Sequence, residues 1–188
     1  MRLHRALRAA LFLPYAAVCY PLLALRRAGA ALRPNGGGEW RTWITPTLLL
    51  GGFLAPGDVD ELASLGVGAV VNVSHELFDP RDALAAVGIA NARVPCWDTR
   101  APTLEDAERG VAFIAAQVAA GRKVYVHCAS GVGRSVALAL CSLATREGAD
   151  VDDALARIRR VRHRVAMRPV QRAFVDRYVR WHRARSVG

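Results

Sequence analysis

From Trp40 onwards, short apolar runs of strand character take turns with segments of helical period, and this alternation leaves few architectures open. "TLLLGG" is a short apolar run stopped by glycines, and "DVDELASLG" reads as a helix with an early Asp and a Gly stop. "VGAVVNVS" is a β-branched buried strand, "DPRDALAAVG" a short helix and "IANARVPC" a further strand. "TLEDAERGVAFIAAQVAAG" carries Leu104, Ala107, Val111, Ile114 and Val118 on one helical face. "KVYVHC" is the next strand, and a nearly all-apolar helix over 133–146 follows it. Two more helices close the chain. Val151, Leu155, Ile158, Val161 and Val165 line one; Val170, Phe174, Tyr178 and Trp181 line the other. Such alternation predicts an α/β fold with a mostly parallel central sheet flanked by helices. In sheets of this kind ligands bind beyond the carboxyl ends of the strands. Cys128 falls at that point.

The run "HCASGVGRS" (residues 127–135) therefore sits between a strand end and a helix start. A loop so placed points successive backbone N–H groups at one spot, where the helix dipole adds positive potential. Ala129, Ser130, Gly131, Val132 and Gly133 carry no bulky side chain, so an anion can approach their backbone closely. Gly131 and Gly133 can adopt positive φ. The nest has the size and sign of a phosphate cradle. No Gly-Lys-Ser/Thr follows, which separates it from a nucleotide-binding loop, and a thiol forms its floor. Anion-stabilising surroundings depress a cysteine pKa, so Cys128 is expected to be a thiolate placed for in-line attack on phosphorus. Arg134 offers a planar fork to two non-bridging oxygens. His127 is expected to orient the loop through backbone hydrogen bonding, and Ser135 to donate to the departing thiolate.

"VHCASGVGRS" resembles the His-Cys-x5-Arg-Ser signature of the cysteine-dependent protein tyrosine phosphatase superfamily, dual-specificity branch, over roughly residues 42–182. The resemblance implies a cysteine-dependent phosphatase with a phosphocysteine intermediate, no cofactor and no metal. It also implies a general acid on a separate loop. "VPCWDTRAPTLEDA" resembles that loop, and Asp98 matches the acid. Asp98 follows a strand of the same expected sheet and can hang over the cradle, whereas Asp106 lies inside a helix behind its cap and Asp79 at a helix start. "VNVSHELFD" and "RRVRHRVAMRPVQRAFVDRY" are similar to phosphatidylglycerophosphate phosphatases of mitochondria and their bacterial relatives, with a Glu-rich loop of that family reduced to His75 and Glu76. Arg164 and Arg168 either reach a polyanionic headgroup or are solvated surface residues. The resemblance thus implies a phosphomonoester substrate: a membrane lipid such as phosphatidylglycerophosphate or a phosphoinositide, or alternatively a phosphoprotein. A non-catalytic phosphate-binding adaptor is disfavoured by the joint presence of Cys128, Arg134 and Asp98.

Charge is spread unevenly: residues 1–41 carry +6, residues 42–153 carry −6 and residues 154–188 carry +10. Basic ends suit an anionic membrane surface. They do not point to nucleic acid, because no aromatic platform interleaves the arginines, and 25 of the 26 basic residues are Arg, a compositional bias. A monomer is expected. Four cysteines (Cys19, Cys96, Cys128, Cys141) show neither metal-ligand spacing nor a dense disulfide framework. Cys19 and Cys141 read as packing residues; Cys96 is the one partner available for a regulatory disulfide with Cys128. Residues 9–25 are uncharged and flanked by arginines on both sides. Seventeen helical residues span about 25 Å, short of a hydrocarbon core of about 30 Å, and Pro14 and Pro21 interrupt them. A re-entrant or interfacial anchor, a single span, a cleaved signal peptide ending near Ala28 to Ala30, and a helix packed on the domain all remain open. The expected organisation is an anchor segment and linker over 1–38, holding a catalytic domain over 39–188 at the cytoplasmic face of a membrane.

Overall fold

The structure, a computed structural model, describes residues 21–25, 28 and 40–186. The chain divides into two compact units, Met1–Glu39 and Trp40–Gly188. Residues 21–25 and 28 are helical; the rest of the anchor segment, Cys19 included, lies outside the described residues. Among the described residues no helix is long and apolar enough to cross a membrane.

Five strands form one mixed sheet in the order β1-β2-β5-β3-β4. They are β1 (Arg41–Trp43), β2 (Leu48–Gly51), β3 (Val67–Asn72), β4 (Ala90–Arg93) and β5 (Lys123–His127). β2, β5, β3 and β4 run parallel, and only the edge strand β1 is antiparallel, paired with β2. Three residues without an apolar run made β1 invisible to pattern reading. Its pairing comes from the turn at Thr45, whose Oγ1 accepts hydrogen bonds from the N–H groups of Thr47 and Leu48.

Period-two alternation divides the strands' side chains between two cores. Leu48, Leu50, Val71, Val124 and Val126 face one side, where they meet α3 (Leu104–Ala119), α4 (Arg134–Arg146), α5 (Val151–Val161) and α6 (Pro169–Ser186). Leu49, Val70 and Tyr125 face the other, against α1 (Val59–Ser64) and α2 (Arg81–Ala86). α4 is buried from Arg134 to Ala144, which is why its sequence is apolar all round rather than striped. α3 buries Ala107, Val111 and Ile114, with Leu104 and Val118 packed at the margin. Two expected lining residues stay outside: Val161 is 46% exposed and Val170 47% exposed. The chain leaves the helix at Arg162, whose backbone is extended, and re-enters one at Pro169, so both valines sit at helix ends. The loops that follow β3, β4 and β5 emerge at the same end of the sheet and meet there.

Candidate active site

Residues 128–133 join β5 to α4. Gly131 takes φ +67°, and a Cβ there would lie 2.3 Å from the Gly51 carbonyl carbon, so only glycine fits. The loop curls around Cys128, whose Sγ lies 3.4 Å from Ser135 Oγ. Burial is the largest single influence and works against a thiolate, but the Arg134 charge and hydrogen bonds from the Ser135 hydroxyl and from the N–H groups of Ser135 and Gly131 together outweigh it. The net effect holds the Cys128 thiol below its ordinary value. Cys96 lies in the same site and moves oppositely. Burial pushes its pKa up to about 12, and its S–H reaches the Arg100 carbonyl at 3.3 Å.

Arg134 is buried, and its guanidinium joins the three loops. Nη1 lies 2.6 Å from Glu76 Oε1 in the loop after β3 and donates to the Cys96 carbonyl after β4 at 2.9 Å. Nη2 lies 3.3 Å from Asp98 Oδ1. A fork held on its outer edge by a buried carboxylate and a carbonyl has its rotamer set before any ligand arrives. The carboxylate of Asp98, by contrast, is 66% exposed. It stands on a turn in which the Arg100 N–H donates to the Trp97 carbonyl at 3.1 Å. Thr99 in that turn has φ +63°, a left-handed conformation in which a β-branched residue is strained.

His127 is buried at the end of β5, stacked on Tyr125 with centroids 5.2 Å apart. Its Nδ1 lies 3.4 Å from the Cys128 carbonyl and its Nε2 3.0 Å from Asp79 Oδ1. Asp79 also accepts from Asn72 Nδ2 at 2.9 Å and from Asn91 Nδ2 at 2.6 Å. Burial works to raise the Asp79 carboxyl, yet the charge of His127 and these hydrogen bonds hold it below its ordinary value. The expectation that Asp79 caps a helix is corrected: α2 has no side-chain cap, and the carboxylate turns inward to His127. Asp106, as expected, serves its helix start, where Thr103 Oγ1 accepts from the Asp106 N–H at 3.0 Å.

The structure thus brings His127, Cys128, Arg134, Ser135 and Asp98 together around the loop Ala129–Ser130–Gly131–Val132–Gly133. Glu76, noted in the sequence only as the remnant of a Glu-rich loop, lies on Arg134, and Asp79, noted only at a helix start, lies on His127; Gln171 had no sequence signal. Gln171, only 2% exposed, donates from Nε2 to the Arg100 carbonyl at 3.0 Å and accepts from the Arg168 N–H at 2.9 Å. It ties α6 to the Asp98 turn. Arg164 and Arg168 are exposed. Among the described residues no cluster of three or more His, Cys, Asp or Glu could hold a metal ion. The arrangement can hold a tetrahedral oxyanion against a sulfur nucleophile, with an exposed carboxylate beside the buried arginine.

Residues 51–177 match the family described as dual specificity phosphatase, catalytic domain. The chain is 33% identical over 145 residues to the phosphatidylglycerophosphate phosphatase PTPMT2 of Arabidopsis thaliana, an alignment covering 76% of this chain and 64% of the relative. It therefore spans less than two thirds of that relative's length. The structure of PTPMT1 in complex with PI(5)P superposes with TM-score 0.74 at 25% identity, covering 79% of this chain and 99% of that one. Human DUSP28 superposes with TM-score 0.67 at 28% identity, over 76% and 94% of the two chains.

Proposed function

The chain belongs to the dual-specificity phosphatase family of cysteine-dependent enzymes, and from that premise we propose that it hydrolyses a membrane lipid phosphomonoester, phosphatidylglycerophosphate or a phosphoinositide, through a phosphocysteine intermediate. The observation that carries the chemistry is a buried thiol held below its ordinary pKa by an arginine that also touches Asp98. The Cys128 thiolate attacks phosphorus in line with the ester oxygen. The S–P bond forms as the P–O bond breaks, and Asp98 delivers its proton to the leaving oxygen. Arg134 and the loop amides take up the charge on the three equatorial oxygens. In the second step Asp98 accepts a proton from water as the water attacks phosphorus. The S–P bond breaks, phosphate departs, and the Ser135 hydroxyl donates to the returning thiolate.

The lipid assignment is supported by the likeness to a phosphatidylglycerophosphate phosphatase and to PTPMT1 holding PI(5)P. The likeness to DUSP28 favours a second reading, a protein phosphatase acting on phosphotyrosine, phosphoserine or phosphothreonine. In either reading residues 1–38 hold the catalytic domain at the cytoplasmic face of a membrane. The deciding experiment measures phosphate release by the full chain from vesicles containing phosphatidylglycerophosphate or phosphoinositides, and from phosphotyrosine peptides, with Cys128→Ser as the blank. A kcat/KM for one of the lipids exceeding the best peptide by tenfold or more is expected. Peptides turned over faster than every lipid would establish the protein phosphatase, and a Cys128→Ser variant near the wild-type rate would overturn the mechanism.

A further inference from the structure

A loop that binds an oxyanion through its amides must keep those amides aimed at one point. The peptides of this loop are trans, so each carbonyl and the N–H across the same peptide bond point in opposite directions. Whatever holds a carbonyl outward therefore turns the next residue's N–H inward. Three carbonyls of the loop are held in this way. The Phe53 N–H donates to the Ala129 carbonyl at 2.9 Å, turning the Ser130 N–H to the other side. The Ala166 N–H donates to the Val132 carbonyl at 2.8 Å, which does the same for Gly133. Between them, Arg162 Nε donates to the Gly131 carbonyl at 3.0 Å and so aims the Val132 N–H.

Arg162 is the one side chain among the three ties, and it is anchored on the sheet. Its Nη1 donates to Thr42 Oγ1 on β1 at 2.8 Å and lies 3.4 Å from the Leu50 carbonyl on β2. The guanidinium is buried and rests against Gly131, where a Cβ would come within 2.7 Å of its Nη2. A planar group with fixed donor directions, bonded to two strands on one side and to the loop on the other, transmits the sheet's rigidity to the loop. We propose that Arg162 is a positioning residue that sets the aim of the anion-binding amides in the phosphate loop. In this role it acts through the Gly131–Val132 peptide. The inference rests on the reading that this loop binds the substrate phosphate.

The test uses the full chain and tungstate, a tetrahedral oxyanion that binds without turnover, titrated calorimetrically into wild type, Arg162→Met and Arg162→Lys. Arg162→Met is expected to raise the tungstate Kd by about tenfold or more, as for loss of one charge-assisted amide contact. Lysine keeps the charge and the stem but gathers its donors on one nitrogen, so Arg162→Lys should fall between the two. The pH midpoint for Cys128 alkylation by iodoacetamide should stay near wild type in both, because Arg134 and Ser135 still hold the thiolate. A general loss of packing would shift both readouts. Should Arg162→Met not fold, Arg162→Lys decides, and a wild-type Kd in that variant overturns the proposal. Equal Kd values in all three proteins overturn it while leaving the phosphate-loop reading intact. A wild-type chain that binds no tungstate overturns the phosphate-loop reading itself, and the positioning role falls with it.

Discussion

At the scale of single residues, the site separates groups of one chemical type by their surroundings. Cys96 and Cys128 are both buried, yet one is held as a thiol that donates to a carbonyl and the other is drawn towards the thiolate by Arg134. Three carboxylates near the loop are separated just as clearly. Glu76 is buried on Arg134 and Asp79 on His127, whereas Asp98 is the exposed one. A proton donor to a leaving group must reach the ligand, and exposure makes Asp98 the candidate among these three. Asp98→Asn is therefore expected to slow hydrolysis of alkyl phosphates, which need a proton on departure, by about 10². Aryl phosphates that leave unaided should suffer less, and the basic limb of the pH–rate profile should flatten. Steady-state kinetics across a series of leaving groups check this; a uniform effect on all of them would remove Asp98 from the acid role.

At the scale of elements, the acid turn is held from both ends. The Cys96 carbonyl is bonded to Arg134 at one end, and the Arg100 carbonyl to Gln171 at the other. Gln171 thus registers α6 against the loop after β4. Gln171→Leu keeps the volume but leaves two backbone groups, the Arg100 carbonyl and the Arg168 N–H, without these partners. The expected stability loss is about 1–3 kcal/mol by thermal or denaturant melting. Alkyl phosphates should slow severalfold more than aryl phosphates, a weaker copy of Asp98→Asn. In an Asp98→Asn background the Gln171→Leu substitution should lose its leaving-group selectivity, since the two then act through one missing proton. Additive effects in the double variant would place Gln171 outside the acid step.

At the scale of the whole molecule, the basic residues gather at the ends of the sequence and the acidic ones in its middle. Residues 154–188 carry +10, and each Arg near an anionic bilayer contributes about 1 kcal/mol at low salt. Together with the uncharged stretch over 9–25, this is the basis for the proposed membrane anchoring. Deleting residues 1–38 should release the protein from anionic vesicles in a sedimentation assay. The truncated chain should keep its turnover of small aryl phosphates and lose most of its rate on phosphorylated lipid in vesicles. Continued sedimentation with the vesicles, or an unchanged lipid rate, would overturn the anchoring role of residues 1–38.

What the sequence determined by itself was local. The strand–loop–helix around Cys128 is legible because its residues are consecutive: β-branched alternation, small residues at the turn and an apolar helix each act over a few positions. Asp98 was legible at one remove, because a carboxylate just past a parallel strand's carboxyl end must emerge beside the other loops. The partners that orient these groups were decided only by tertiary structure. Arg162 reaches a carbonyl 31 residues back and a hydroxyl 120 residues back, and Gln171 a carbonyl 71 residues back. Those distances close only because the order β1-β2-β5-β3-β4 puts β5 between β2 and β3, bringing their loops around one arginine. Strand order is set by packing both sheet faces at once, and no window of the chain encodes it.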